Sequence, residues 1–399
     1  MTETCPMHQQ PTVLYDEDFF ADPYQAYAAL HEDGPVHRVY LTDGVPVWLV
    51  TDFEAARDAL RDPRLSRRDR HAGEGLKSQV LPEPLRTGNL LVEDPPEHTR
   101  LRRFMKFAFT AKRVEAMEPW VRAHVDECLD AVVEGETDLM AALAAPLPIN
   151  VIAELLGVPE EHRGKFREWA DALLGDDRQA ANAAGGELLM FCVELIQIKR
   201  AAPGDDLISA WLSAADEEGD ALSGNELLGM IFILVVGGFD TTVGAIGNVV
   251  AALLGDPANV ATLREHPDLI PAAVDELLRY DGSVHSSVRY FAMEPMEIGG
   301  TKIDTGDAVV VAIGAANQDP KHYPEPRTLD FGRDKGRNLA FGNGPHHCPG
   351  EHLARLEIHL SVEALLRRFP AIALAESSEK LAWRRSHIVR VLKRLPVVV

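Results

Sequence analysis

The 399-residue sequence predicts a mainly α-helical domain carrying small β-sheets, and three observations lead there. The run Ser223 to Gly255 is predominantly apolar, opens with Ser223 three residues before Glu226 as in a capping box, and spans roughly 45 Å at helical rise. Ala- and Leu-rich segments fill Val114 to about Leu212 and break only at Gly157-Val158-Pro159, Gly175 to Gly186 and Pro203-Gly204. Short alternating segments cluster at about 36–50, 284–313 and 381–399. No Gly/Ser- or Pro-rich linker and no repeat divides the chain, so residues 1–399 are read as one domain with a flexible tail over 1–10.

In chain order, Asp22 to Glu32 reads as a short helix, and Val36 to Tyr40 with Val45 to Val50 as a hairpin around Thr42-Asp43-Gly44. Asp52 to Leu60 is helical, and Asp62 to Asn89, rich in Arg, Gly and Pro, is mostly loop. Pro95 to Arg113 begins with a proline pair and carries a cationic face, which taken alone is a solvated helix surface. The small, polar stretch Gly175 to Gly186 suits a lid. Within Ser223 to Gly255, the middle VVGGFDTTVG is anomalous for a buried helix: each glycine costs about 1 kcal/mol and Asp240 sits in apolar surroundings. Threonine hydroxyls bonding back to carbonyls one turn earlier are one structural account of it.

Pro271 to Asp281 is a helix with proline in its first turn, and Glu276 and Arg279 share a face, a common surface pair. Strands are expected at Val288 to Met293, Met296 to Ile298, Thr301 to Ile303 and Ala308 to Ile313, followed by a helix from Glu351 to Phe369 and a last sheet over Trp383 to Leu395.

A net charge of -22 excludes nucleic acid as a natural partner and indicates a soluble surface. Cys5, Cys128, Cys192 and Cys348 are widely spaced, which suggests neither a disulfide framework nor a zinc knuckle and fits a reducing cytoplasm. The first twenty residues carry five charged or histidine side chains and no apolar run, so no membrane anchor is expected there.

The stretch Phe341 to Gly350, FGNGPHHCPG, runs into the helix that follows it. Gly342 and Gly344 let the backbone turn tightly past a flat ligand, and Cys348 precedes the free amides of Gly350 and Glu351, a position that favours a thiolate. A lone buried cysteine is otherwise a small hydrophobe. With phenylalanine seven residues before the cysteine, glycine four before, histidine two before and glycine two after, the stretch resembles the haem-ligand loop of the cytochrome P450s, in its soluble bacterial branch.

The resemblance implies the cytochrome P450 fold around a buried haem b, with Cys348 as the proximal iron ligand whose thiolate favours O–O cleavage. It puts Phe341 and Gly342 beside the sulfur with Gly350, and His98, Arg102, Arg289 and His346 at the haem propionates. Asp240 and Thr241 become the acid–alcohol pair that relays protons, and Glu276, Arg279 and Arg333 a buried structural triad. The surplus cations Arg100, Arg103, Lys106 and Arg113 are expected to receive an acidic ferredoxin. Asn338, Pro349 and Val391 depart from residues common in the family.

The activity implied is monooxygenation, by hydroxylation or epoxidation, with electrons from NAD(P)H through an external ferredoxin and its reductase, since no GxGxxG fingerprint follows a strand. Oxidative coupling, desaturation, peroxide-driven oxidation, a non-catalytic haem sensor, or zinc on His346, His347, Cys348 and His352 are the rival readings. The substrate wall is expected to include Val236, Gly237, His285, Ser287, Val288, His387 and Ile388. With Ser286, its polar members point to an oxygenated hydrophobic substrate such as a polyketide, macrolide or terpenoid intermediate.

Overall fold

The computed structural model describes residues 11–77, 87–105, 109–173, 178–214, 219–333, 336 and 338–399. The expected tail, Lys106 and part of the lid lie outside these residues. After β1 (Thr12–Val13) come α1 (Glu17–Ala21) and α2 (Pro23–Asp33), capped by the carboxylates of Asp16 and Asp22, then the expected hairpin β2 (Val36–Tyr40) and β3 (Pro46–Val50). Next are α3 (Phe53–Ala59), β4 (Leu65–Ser66), α4 (Glu97–Met105), α5 (Ala111–Asp130) and β5 (Glu136–Asp138). A π-helical turn at Met140–Ala144 leads into α6 (Pro146–Leu156), α7 (Glu160–Leu173), α8 (Arg178–Ala201) and α9 (Leu207–Ser213). The second half holds α10 (Gly224–Leu254), α11 (Pro257–Glu265), α12 (Ile270–Asp281), β6 (Tyr290–Ala292), β7 (Met296–Ile298), β8 (Thr301–Ile303), β9 (Ala308–Val311), α13 (Ile313–Ala316), α14 (Glu351–Arg368), β10 (Ala373–Leu374) and β11 (Pro396–Val398).

Helix α10 is the axis of the helical part. The capping box forms as expected: the Ser223 hydroxyl accepts from the Glu226 amide (3.3 Å), and the Glu226 carboxylate accepts from the Ser223 amide (2.8 Å). The helix packs on α6, α12 and α14 and buries Met230, Ile231, Val235, Phe239, Ile246 and Val249. Both α10 and residues Gln179–Ala201 of α8 are long and apolar enough to cross a membrane, a test that a core helix also passes. The strands form a six-stranded sheet ordered β1-β2-β3-β9-β6-β4, a three-stranded sheet β10-β11-β5 and the hairpin β7-β8.

Four expectations need correction. The cationic helix expected over Pro95 to Arg113 is two helices, because the Thr110 hydroxyl accepts from the Arg113 amide (3.2 Å) and starts α5 afresh. Gly185 and Gly186 do not break the chain but lie inside α8, where a Cβ at Gly185 would stand 3.2 Å from Leu173; the glycine serves the close approach of α7. Strand β9 stops at Val311 and α13 follows at once. Trp383 to Leu395 forms no regular sheet: Trp383 bridges Leu392 and Val389 bridges Val284, while the sheet partners are β10, β11 and β5.

Candidate active site

Gly342 and Gly344 both take φ +73°, and a Cβ at Gly344 would stand 2.6 Å from the Leu60 carbonyl, so the turn demands glycine. The turn brings the Cys348 amide onto the Phe341 carbonyl (2.9 Å) and leaves the sulfur under the start of α14. Burial pushes the thiol up to about 11, opposed by the amides of Gly350 and Glu351 and by Arg102. The helix-end amides act as the sequence suggests, yet they do not win against desolvation. Burial thus favours the protonated thiol, and a metal cation at the sulfur would favour the thiolate. Arg355 lies 4.8 Å over the Phe341 ring and pairs with Glu351 (3.1 Å) and Asp275, and His347 pairs with Glu351 (3.1 Å).

Four residues apart on α4, His98 and Arg102 share one face. The His98 ring is buried, 4.2 Å from the His346 ring, and its Nε2 has no hydrogen-bond partner among the described residues. Burial, with Arg102 and Arg67 adding to it, holds His98 down to about 4, and burial likewise holds His346 far below its usual range; His346 Nδ1 stands 3.2 Å from the Leu90 carbonyl. Burial lowers Arg102 as well, and the Cys348 sulfur acts on it in the opposite sense. An unpartnered buried imidazole nitrogen beside two guanidinium groups is a receptor for carboxylate, since leaving such a group unpaired costs about 1–3 kcal/mol. These donors and the sulfur together fit a haem: an axial ligand on one side and propionate partners at one edge.

Arg67 belongs to this cradle and escaped the sequence reading; it donates to the Tyr290 hydroxyl (2.6 Å) and the Leu91 carbonyl (3.2 Å). Arg289, expected at a propionate, is instead paired with Asp43 and donates to the Lys77 carbonyl (2.7 Å). Among the described residues no three His, Cys, Asp or Glu side chains converge as a metal site, and His346 and His347 point to different partners, which removes the zinc reading.

Through the glycine pair α10 remains a continuous helix, and the threonine back-bond is realised: the Thr241 hydroxyl donates to the Gly237 carbonyl (2.5 Å). Gly237 is exposed and Val236, Gly238, Asp240 and Thr241 are partly so, whereas Thr242 to Ala251 are all buried. A Cβ at Gly237 would meet nothing within 4 Å, so this stripe borders open space inside the chain's longest helix. Asp240 forms an ion pair with Arg384 that nothing in the local sequence announced. Burial raises the carboxyl above its ordinary range and Arg384 pulls it back.

Glu276 accepts from Arg279 Nε (2.8 Å) and Nη2 (3.0 Å) and from Arg333 Nε (3.0 Å), so the triad assembles, with Arg333 fixed further on the carbonyls of Pro324 and Thr328 (2.7 Å each).

The expected polar substrate wall does not. His285 is buried with Nδ1 3.2 Å from the Tyr27 hydroxyl, and its ring occupies the space a Cβ on Gly314 would need. Ser287 gives its amide to the Val311 carbonyl (2.9 Å) and takes the Val311 amide on its hydroxyl (3.0 Å), and the Ser286 amide reaches the Ile388 carbonyl (3.3 Å). His387 is held by Thr42 (2.8 Å) beside Tyr15, with burial keeping it down to about 4. His285, Ser286 and Ser287 thus meet buried or backbone partners, whereas His387 is partly exposed and meets the exposed Thr42. Val288 and Ile388 are partly exposed. Of the cations expected to be surplus, Arg100 is paired with Asp220 and with Glu226 (2.7 Å), Arg103 acts on Asp220, and Arg113 stands 4.0 Å from Asp205. A cavity of about 520 Å³ between the end of α8, α9 and the start of α10 is lined by none of the site residues above.

The family model described as Cytochrome P450 matches residues 149–395. The sequence is 44% identical to the cytochrome P450 monooxygenase PikC of Streptomyces venezuelae over 385 residues, 96% of this chain and 92% of that one. It is 40% identical to the 6-deoxyerythronolide B hydroxylase of Saccharopolyspora erythraea over 396 residues, 96% and 98% of the two chains. Among solved structures, the bacillaene polyketide synthase cytochrome P450 PksS of Bacillus subtilis 168 is similar with a TM-score of 0.89 at 34% identity, over 97% of this chain and 99% of that one.

Proposed function

The chain belongs to the cytochrome P450 family and is a haem monooxygenase, and from that premise we propose that it oxygenates a hydrophobic, already oxygenated polyketide or macrolide intermediate, with Cys348 as the axial ligand. The observations that carry the assignment are the buried sulfur on its two-glycine turn, within electrostatic reach of Arg102, and the unpartnered buried His98 nitrogen on the same helix as Arg102 with its ring 4.2 Å from that of His346. Haem, when bound, supplies the iron at which O₂ is activated.

The chain's residues do the rest. Cys348 would hold the iron, Arg102 and Arg67 would neutralise the carboxylates at one edge, and the uncharged His98 and His346 would orient them by hydrogen bonding. Glu276, Arg279 and Arg333 lock the segment leading into the cysteine turn to α12. The stripe Val236–Thr241 faces the reacting space, where Thr241 holds a hydroxyl and Asp240 holds the proton-carrying carboxyl. Electrons reach the site from NAD(P)H through a separate ferredoxin and reductase, and residues 11–399 work as one domain. Support for the substrate class comes from the relatives named for an erythronolide and a polyketide, not from His285, Ser287 or His387.

One spectroscopic experiment tests the assignment. The haem-loaded protein, reduced under carbon monoxide, should show the red-shifted Soret band of thiolate ligation, and Cys348→Ser should lose it. Titrating the ferric protein with macrolactones should shift its spin state more strongly than fatty acids or alkanes. An unchanged band in the variant removes Cys348 as the ligand, and a preference for plain hydrocarbon chains removes the substrate class.

A further inference from the structure

The cavity between the end of α8, α9 and the start of α10 shares no residue with the site described above, and its volume of about 520 Å³ is that of a small-molecule site. Leu227, its member on α10, precedes Thr241 by about 21 Å of helix, so this space is separate from the one the stripe Val236–Thr241 borders. The floor is apolar. Trp211 and Leu227 are buried, and Leu212 and Leu222 are half-buried against the same helical core. The Trp211 indole is fixed as a wall because its Nε1 donates to the Phe104 carbonyl (2.9 Å), which ties the cavity to α4, the helix of His98 and Arg102.

At the polar end the acceptors are used and donors remain. The buried Asp206 carboxylate accepts from the Ser209 amide (2.8 Å), the Ser209 hydroxyl (3.0 Å) and the Lys199 ammonium (2.9 Å), and the Ser209 oxygen accepts from the Gly204 amide (2.9 Å). This knot is closely built: a Cβ on Gly157, itself at φ +67°, would stand 2.5 Å from Lys199 Nζ. Asp205, the other carboxylate at the rim, is fully exposed and 4.0 Å from Arg113 of α5. Arg200, by contrast, is an exposed lining residue with no hydrogen-bond or ion-pair partner among the described residues, so its guanidinium donors are all unused. A fixed apolar wall facing an unpaired guanidinium is complementary to an amphipathic anion. The carbonyl end of α8 stands at the same rim and disfavours a doubly charged phosphate, which leaves a single carboxylate as the better match.

We propose that this cavity is a second ligand site, which takes a monocarboxylate with an unbranched apolar chain, of the medium-chain fatty acid class. The carboxylate sits on Arg200 and the chain runs along Trp211 toward Leu222 and Leu227. Such a ligand is not a substrate, since the cavity lies apart from the cysteine and from the stripe on α10. It is an effector: filling the space joins α9 to the start of α10 and, through Trp211 and the Phe104 carbonyl, steadies α4. A ligand that binds only the folded arrangement stabilises it in proportion to its occupancy, so occupancy should slow the loss of haem.

The test is calorimetric titration of the haem-loaded protein with dodecanoate while an iron-binding azole fills the reacting space. A single equivalent should bind, and each methylene removed from the chain should weaken binding about three- to fourfold. Arg200→Gln should weaken it about threefold, and less at high salt, the factor being small because that side chain is exposed. Ala210→Leu and Ala221→Leu, which fill the cavity from α9 and from the segment before α10, should abolish binding and keep the parent's carbon monoxide spectrum. Anomalous scattering from ω-bromododecanoate should place the bromine among Trp211, Leu222 and Leu227, and dodecanoate should slow haem transfer to apomyoglobin in the parent but not in Ala210→Leu. No binding in the presence of the azole, bromine found only over the haem, or binding that both filling variants leave unchanged overturns the site. Equal binding of dodecyltrimethylammonium, or indifference to Arg200→Gln, overturns the carboxylate. An unchanged rate of haem transfer at saturation overturns the effector role.

Discussion

Glu357 gives the sharpest stability test. It lies on α14 at 3% exposure, and its Oε2 has no hydrogen-bond partner among the described residues; the nearby Ser361 hydroxyl donates to the Glu357 backbone carbonyl (2.7 Å) rather than to the carboxyl. Burial pushes the carboxyl from the usual 4.5 to about 8. The folded protein thus keeps a proton that the unfolded chain gives up, so stability is full below the unfolded value and falls as pH rises from there through the folded one. At 1.36 kcal/mol per unit the loss is at most about 5 kcal/mol, a large share of a typical stability. Glu357→Gln keeps the size and removes the titration. Its melting temperature, followed by circular dichroism of the haem-loaded protein, should match the parent near about pH 5 and exceed it increasingly toward about pH 8. Parallel curves for parent and variant across that window would refute the reasoning, because the carboxyl would then have a partner.

Two further outcomes test the site. Thr241→Ala should leave fold, haem content and substrate affinity close to the parent while lowering product formed per NAD(P)H consumed, with the remainder recovered as hydrogen peroxide; unchanged coupling would move the relay to another group. Glu276→Ala leaves the buried Arg279 without its counter-charge and should cost about 3–5 kcal/mol, read as a lower melting temperature and reduced haem content, whereas a parent-like melt would mean that the carbonyls of Asn317 and Pro326 suffice for Arg279.

What the sequence made legible was local. The capping box of α10, the glycine turn before Cys348 and the i, i+3 pair of Glu276 and Arg279 depend on neighbours a few residues away, and each appears where the spacing puts it. What it hid were partners from distant chain. Arg384 reaches Asp240 across 144 positions, and Arg67 enters the cradle from a stretch that reads only as basic loop. The polar residues assigned to the substrate wall have partners that the sequence also hid: Val311 for Ser287, Tyr27 for His285 and Thr42 for His387. At Cys348 the helix-end amides are readable from sequence, whereas the burial that opposes them is not.

Helix α4 shows how charge that looks free is spent. Its inward face carries His98 and Arg102 to the cradle, and Arg100, between them in sequence, points elsewhere and donates to Glu226, the same carboxylate that caps α10 with Ser223. One glutamate therefore fixes the start of the helix that bears the relay and the orientation of the helix that bears the propionate partners. Between Glu226 and Asp240 the helix rises about 21 Å, a rigid spacer whose two ends are both held by arginines from other segments. A redox partner drawn to Arg100 would have to break that coupling, exchanging partly buried ion pairs for a screened contact at the surface. On a chain of net charge -22, recognition of a redox partner by positive charge would then have to come from cations that the fold does not use internally, and Arg100 is not among them.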